Sequence, residues 1–186
     1  MFFQETFKNV LKVTDAHDAS LYKIKPINEN LLVTGDEDGT VKLWDKRHSS
    51  NMTKSVMEDS ESLDDAITDF FHTNQDPNYL IASSAEGLIQ GYNLAGKKAD
   101  VQSEIYEGEM NTMGIVHRDS KLVVGCRDGK LYMFNWREFG LHSDQFPGHP
   151  DAINSLLAVT DNVILTGCED GAIRAVHLYP HRFVGK

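Results

Sequence analysis

Gly91 to Lys98 reads Gly-Tyr-Asn-Leu-Ala-Gly-Lys-Lys. A glycine, four residues, a second glycine and a lysine is the spacing of a loop that cradles phosphate with backbone N–H groups while the lysine reaches the terminal phosphates. The next position should carry a Ser or Thr hydroxyl for magnesium, and Lys98 stands there instead. The stretch also runs from one predicted strand into another, with no helix N-terminus to face an anion. A plain strand-turn-strand accounts for it, and no cofactor is expected.

Other reactive residues are no better assembled. Cys126 and Cys168 have no CxxC partner, and none of the eight histidines stands in an HExxH pair, so no metal site is expected. Both thiols read as buried small residues of a core. No GxSxG elbow marks a nucleophile, and the plentiful Asp and Glu residues recur at turn positions, where their role is conformational. The expectation is therefore a protein that is not an enzyme.

What recurs is a turn. Thr34 to Asp45 reads TGDEDGTVKLWD, and versions of it return at Ala82 to Asn93, Val124 to Asn135 and Thr166 to His177. Each holds an acidic residue followed by glycine: Asp38-Gly39, Glu86-Gly87, Asp128-Gly129 and Asp170-Gly171, with glycines 48, 42 and 42 residues apart. Gly supplies the positive φ a tight hairpin needs, and the flanking runs of β-favouring residues read as strands. Every period holds about four such runs, and no stretch sustains a helical repeat. The second contains Ala66 to Phe71, Tyr79 to Ser83, Leu88 to Tyr92 and Val101 to Ile105. A four-stranded sheet this small has two apolar faces and must stack on neighbours to bury them.

The expected fold is all-β: a β-propeller of about four four-stranded antiparallel blades, a partial seven-bladed ring or an oligomerising half ring. Residues 1–14 would give the outer strand of a preceding blade, at Phe7 to Val13. Blades would then occupy residues 15–60, 61–108, 109–147 and 148–186. The last blade already owns an outer strand, so nothing obvious closes the ring. A piece of a longer propeller is the favoured reading; two four-bladed units joined into an eight-bladed ring is the other, through open blade faces that invite self-association.

Bulk properties narrow the function. The chain has 186 residues, 40% of them hydrophobic, enough for a real core. The net charge of -10, with no run of Lys or Arg, argues against direct nucleic-acid binding, which is driven by phosphate neutralisation. No apolar run is long enough to cross a membrane, the N-terminus reads poorly as a signal peptide, and two cysteines suit a reducing compartment, which argues against use of the Asn51 sequon. The acidic run Glu58 to Asp65 reads as a solvated loop.

With the repeats in view, the chain resembles the WD-repeat family along essentially its whole length. The dipeptide survives as Trp44-Asp45, and the Gly-His signal as Gly148-His149 and as His17 alone; both histidines precede the glycine of their own turn by 22 residues. The resemblance implies a structural hydrogen-bonded chain of His17, Thr34, Asp38 and Trp44 in the first repeat, and a shorter one of His149, Thr166 and Asp170 in the fourth, where Val176 replaces Trp. Segments such as LYMFNWREFG and LTGCEDGAIRAVHLYPHRFVG are similar to the WD repeat-containing protein 55 family. That likeness implies a non-catalytic scaffold for other proteins in the nucleus and nucleolus, with the cytoplasm as an alternative, acting with pre-ribosomal factors in ribosomal RNA production. A different WD-repeat role is implied by Trp44-Asp45-Lys46-Arg47. It has the Trp-Asp-x-Arg pattern by which some members dock to the cullin-4 ubiquitin ligase adaptor, making Trp44, Asp45 and Arg47 candidate partner-binding residues. The plainer alternative is that Trp44 and Asp45 are ordinary repeat residues followed by a chance arginine.

Overall fold

The computed structural model describes residues 13–48, 57–59 and 63–184. The expected outer strand at Phe7 to Val13 lies almost wholly outside them. Among these residues sixteen strands form four sheets of four, each a meander in chain order. The first blade is β1 (Leu21–Pro26), β2 (Leu31–Asp36), β3 (Val41–Asp45) and β4 (Met57–Asp59). The second is β5 (Ile67–His72), β6 (Tyr79–Ser84), β7 (Ile89–Asn93) and β8 (Lys98–Gln102). The third is β9 (Met110–Val116), β10 (Lys121–Cys126), β11 (Leu131–Asn135) and β12 (Asp144–Phe146). The fourth is β13 (Ile153–Ala158), β14 (Val163–Cys168), β15 (Ile173–Leu178) and β16 (His181–Phe183). All pairings are antiparallel, and the only helix among the described residues is a 3₁₀ turn at Lys46–His48.

Two expectations need correction. The second blade's outer strand is Lys98–Gln102, not Val101 to Ile105, because the turn after Asn93 is tight: Gly96 N–H bonds Asn93 Oδ1 at 2.8 Å and the strand resumes at Lys98. The acidic run Glu58 to Asp65 is not simply a solvated loop. Glu58 belongs to β4, and Leu63 is fully buried at the join of the first two blades.

The core consists of three apolar layers, one between each pair of successive blades. Val33, Val41 and Leu43 meet Ile67, Phe70 and Leu80. Ile81 and Ile89 meet Met110, Leu122 and Phe134. Val123, Leu131 and Met133 meet Ile153, Ile164 and Val176. Most of these side chains are completely buried, so each methylene contributes roughly 0.8 kcal/mol to holding neighbouring sheets together.

Each inner strand carries a one-residue bulge near its start, at Tyr22, Thr68, Asn111 and Asn154. A bulge turns one side chain away from the regular alternation. In two blades that side chain reaches the next sheet: Thr68 Oγ1 donates to Met110 C=O, and Asn111 Nδ2 donates to Ile153 C=O at 3.2 Å.

The acid-glycine corners do more than turn the chain. Gly39 has φ +82°, and a Cβ built there would fall 1.5 Å from Leu63 C=O. The loop entering the second blade is seated directly on the corner of the first, so this glycine is required by both conformation and space.

Candidate functional site

The residues with the most reactive connectivity lie inside the first blade. His17 Nε2 is 2.6 Å from Thr34 Oγ1, and His17 Nδ1 is 2.7 Å from Asp36 Oδ2. Trp44 Nε1–H donates to the same Thr34 oxygen at 2.7 Å. With Nδ1–H donating to the carboxylate, Nε2 accepts the Thr34 O–H, and the chain runs Trp44, Thr34, His17, Asp36 in one direction. Hydroxyl, imidazole and carboxylate in this order match the connectivity of a hydrolase triad. Here the hydroxyl oxygen is occupied by the indole N–H and buried with Asp36 and Trp44, so it has no surface from which to attack a substrate. The arrangement satisfies four buried polar groups and ties the entering loop to β2 and β3.

The carboxylate is Asp36, which corrects the expected Asp38. Asp36 pairs across the sheet with Leu21, the first residue of β1, and faces inward. Its Oδ1 also accepts the N–H groups of Asp38 and Thr40, closing the turn. Asp38 sits at the solvent-facing tip. Asp170 is corrected for the same reason: it occupies the tip of the fourth blade's turn, accepts from Ala172 N–H at 3.0 Å and pairs with Arg174. Neighbouring Arg174 and the Ala172 N–H hold its carboxyl down to about 2. Cys168, not an acid, takes the position of Asp36, being paired with Ile153 as Asp36 is with Leu21. His149 Nε2 still meets Thr166 Oγ1 at 2.8 Å, but its buried Nδ1 has no hydrogen-bond partner among the described residues. Burial, then the charge of Arg174, pushes the His149 pKa down. In the second blade Ser83 bonds Thr68 Oγ1 at 2.9 Å, and Leu63 takes the place of the histidine.

The surface candidate divides by depth. Trp44 is buried in the network and is not available to a partner. The Asp45 side chain is 6% exposed and grips Arg47, whose side chain is 63% exposed. Arg47 Nε lies 2.9 and 3.1 Å from the two carboxylate oxygens, with Nη2 at 2.5 Å. This two-pronged pairing fixes the guanidinium plane and raises the Arg47 pKa. Beside it a cleft of about 450 Å³ opens between the first and second blades, floored by Leu31, Leu43 and Leu94 and rimmed by Arg47, Pro77 and Lys97.

A clamp that the sequence reading missed explains why the cleft is there and not one blade further on. Arg137 stands in the third blade where Arg47 stands in the first, yet it reaches back to the second blade. It bonds Asp76 through Nε at 2.8 Å and Nη2 at 2.9 Å and lies 4.6 Å over the Tyr79 ring. Trp136 N–H joins the same carboxylate at 3.1 Å. In the second blade this column holds Leu94 and Ala95, which are too short to span the gap. An unrepeated Trp-Arg in a loop, and an acid in the unusually long loop Thr73 to Asn78, were the available signals.

The remaining candidates resolve simply. Gly91 lies within β7, where a Cβ would fall 2.2 Å from the Tyr79 hydroxyl, so the phosphate-loop spacing marks a packing contact. Burial raises the Cys126 thiol pKa well above its ordinary value. No cluster of metal-ligating side chains occurs among the described residues, and no helix there is long and apolar enough to cross a membrane.

Comparison with known proteins places these features in context. Residues 2–186 match the profile of the WDR55 family. The chain is 44% identical over 170 residues to the WD repeat-containing protein 55 homolog of Drosophila ananassae, covering 91% of this chain and 34% of that protein. It thus spans about a third of the length of the curated relatives it matches. Among solved structures, the computationally designed Ika4 protein superposes with TM-score 0.73 at 16% identity, over 92% of this chain and 99% of that one. The WD40 β-propeller domain of Doa1 superposes with TM-score 0.72 at 20% identity, over 91% of this chain and 52% of that one. Both show the fold.

Proposed function

Because the chain belongs to the WDR55 family of WD-repeat propellers, we propose that its blades are a non-catalytic protein-interaction scaffold acting in ribosomal RNA production and ribosome assembly, in the nucleus and nucleolus. The observation that carries the scaffold reading is the partition of polar groups. The hydroxyl, imidazole and carboxylate with catalytic connectivity are sealed inside the first blade, while the pinned Arg47 and the cleft beside it face outward. A rigid surface with a preset guanidinium suits recognition of a partner's acidic or carbonyl groups at low entropic cost. The net charge of -10 argues for protein partners over bare RNA. The test is sedimentation of cell lysate through a sucrose gradient, with pre-ribosomal RNA followed after depletion. The expected result is co-migration of the protein with large-subunit precursors and accumulation of unprocessed RNA. Migration only at the top of the gradient, with processing intact, would overturn the assignment to ribosome assembly.

A second reading rests on Arg47 itself. Trp44, Asp45 and Arg47 follow the pattern used by substrate receptors of the cullin-4 ubiquitin ligase, and Arg47 is the one of the three that reaches solvent. Arg47→Ala should then abolish recovery of the ligase adaptor in affinity purification, and undiminished recovery would exclude this reading.

A further inference from the structure

Where the third strand of each blade ends, the joins between neighbouring blades are filled differently. Lys46, Leu94 and Trp136 hold one column, because their N–H groups donate to Asn30, Asn78 and Ser120 C=O, each at 2.9 Å. Leu31 and Tyr79 hold another, paired with Asp45 and Asn93. Between the second and third blades Trp136 fills the join. Its ring meets Phe71, Tyr79 and Phe139 edge-on, with centroids 6.3, 5.9 and 5.7 Å away, and its N–H reaches Asp76. Between the first and second blades Leu31 stands in place of Tyr79, and Leu94 in place of Trp136. With these smaller side chains the join is the cleft of about 450 Å³.

The charge of the cleft narrows what fits it. Its lining holds one acid, Asp45, and that carboxylate is already paired with Nε and Nη2 of Arg47. Exposed Lys97 then leaves the cleft with a net positive charge. In a chain of net charge -10 this is a local exception, suited to a partner's carboxylates. The floor is aliphatic, formed by Leu31, Leu43 and Leu94. It can cover one apolar ring, but it offers no aromatic face for a base to stack on, which is the usual platform for single-stranded nucleic acid.

We propose that this cleft takes a short segment of a partner protein in which one aromatic side chain is flanked by Asp or Glu. The ring lies on Leu31, Leu43 and Leu94, as the third blade's own indole lies in the next join, and the carboxylates meet Arg47 and Lys97. The volume falls within the range of about 300 to 1,000 Å³ typical of ligand pockets, and an aromatic anchor beside charge-assisted hydrogen bonds is the usual make-up of a binding hot spot. The proposal rests on the scaffold reading and names the chemistry of the partner. The two fail separately, because co-migration with large-subunit precursors does not require this cleft.

The test is fluorescence anisotropy of the 186-residue chain with three labelled peptides, each carrying Trp, Phe or Tyr between pairs of Glu; circular dichroism confirms that each variant is folded. At least one peptide should bind saturably with a dissociation constant below about 1 mM, and replacing its ring by Ser, or its Glu residues by Lys, should weaken binding about tenfold or more. Leu94→Trp, which puts a ring of the chain's own into the cleft, should also weaken binding about tenfold or more. Lys97→Glu, at an exposed position, should weaken it about fivefold and improve binding of the Lys-flanked peptide. Arg118→Glu, exposed at the join of the third and fourth blades, should leave binding unchanged. No saturable binding by any of the three peptides, or equal binding by Leu94→Trp and the wild type, overturns the proposal. An oligouridylate that binds more tightly than the best peptide and is lost in Lys97→Glu overturns it too, by assigning the cleft to nucleic acid.

Discussion

His17 Nδ1 lies 2.7 Å from Asp36 Oδ2, with both side chains almost fully buried; at the same place in the fourth blade, the Nδ1 of His149 has no hydrogen-bond partner among the described residues. One repeat therefore closes its polar chain with a carboxylate and another leaves it open.

Asp36→Ala should destabilise the protein by about 3 kcal/mol, because it strands a buried imidazole N–H and two turn N–H groups together. Asp38→Ala, at the exposed tip of the same turn, should cost less than about 0.5 kcal/mol. Urea unfolding of the two variants compares them; equal effects would refute the assignment of Asp36 to the network.

Trp44→Phe keeps most of the ring and removes the N–H that reaches Thr34 Oγ1. The expected loss is about 1 to 2 kcal/mol, against roughly 3 to 5 for Trp44→Ala, which also opens a cavity. Thermal unfolding of both variants separates the hydrogen bond from the packing.

His149 makes stability depend on pH. Its folded pKa lies below the ordinary value near 6.5, so the unfolded chain takes up a proton more readily than the folded one as the medium is acidified. The stability it contributes is complete above pH 6.5 and is lost as pH falls below it. Cys168→Asp puts a carboxylate where the first blade has Asp36, favouring the protonated ring and reversing that dependence. Melting temperatures of wild type and Cys168→Asp between pH 5 and 8 should diverge on the acid side, with the variant the more stable; parallel curves would show that His149 does not sense position 168.

The clamp between the second and third blades should show as coupling between Asp76 and Arg137. Both are partly exposed, which screens the pair, so a double-mutant cycle of Asp76→Ala and Arg137→Ala should return about 0.5 to 1 kcal/mol. Additive losses would show that the contact contributes nothing.

The legible part of this protein was the local part. Positive φ at Gly39, Gly87, Gly129 and Gly171 follows from turn chemistry within four residues, so the corners, strand number and all-β class could be read directly. His17, Thr34 and Trp44 were legible because family resemblance and a fixed offset from the turn glycine identify them. Choosing between Asp36 and Asp38 was a different matter. Two residues apart along an alternating strand, both would share a face, and only the end of the β1–β2 pairing makes Asp36 the last inward position and Asp38 a solvated tip.

The sequence by itself determined how many sheets form, where each turns, and that neither face of a sheet can remain wet, because those follow from short-range conformational preference and from the area of apolar side chains. Tertiary structure alone decided which carboxylate meets His17, that Arg137 crosses to Asp76 while Arg47 folds back on Asp45, and that Leu63, in an acidic stretch of sequence, is fully buried at the join of the first two blades. The first depends on where the β1–β2 pairing ends; the crossing of Arg137 and the burial of Leu63 depend on how neighbouring blades sit against one another, and no periodicity along the chain encodes a distance between blades.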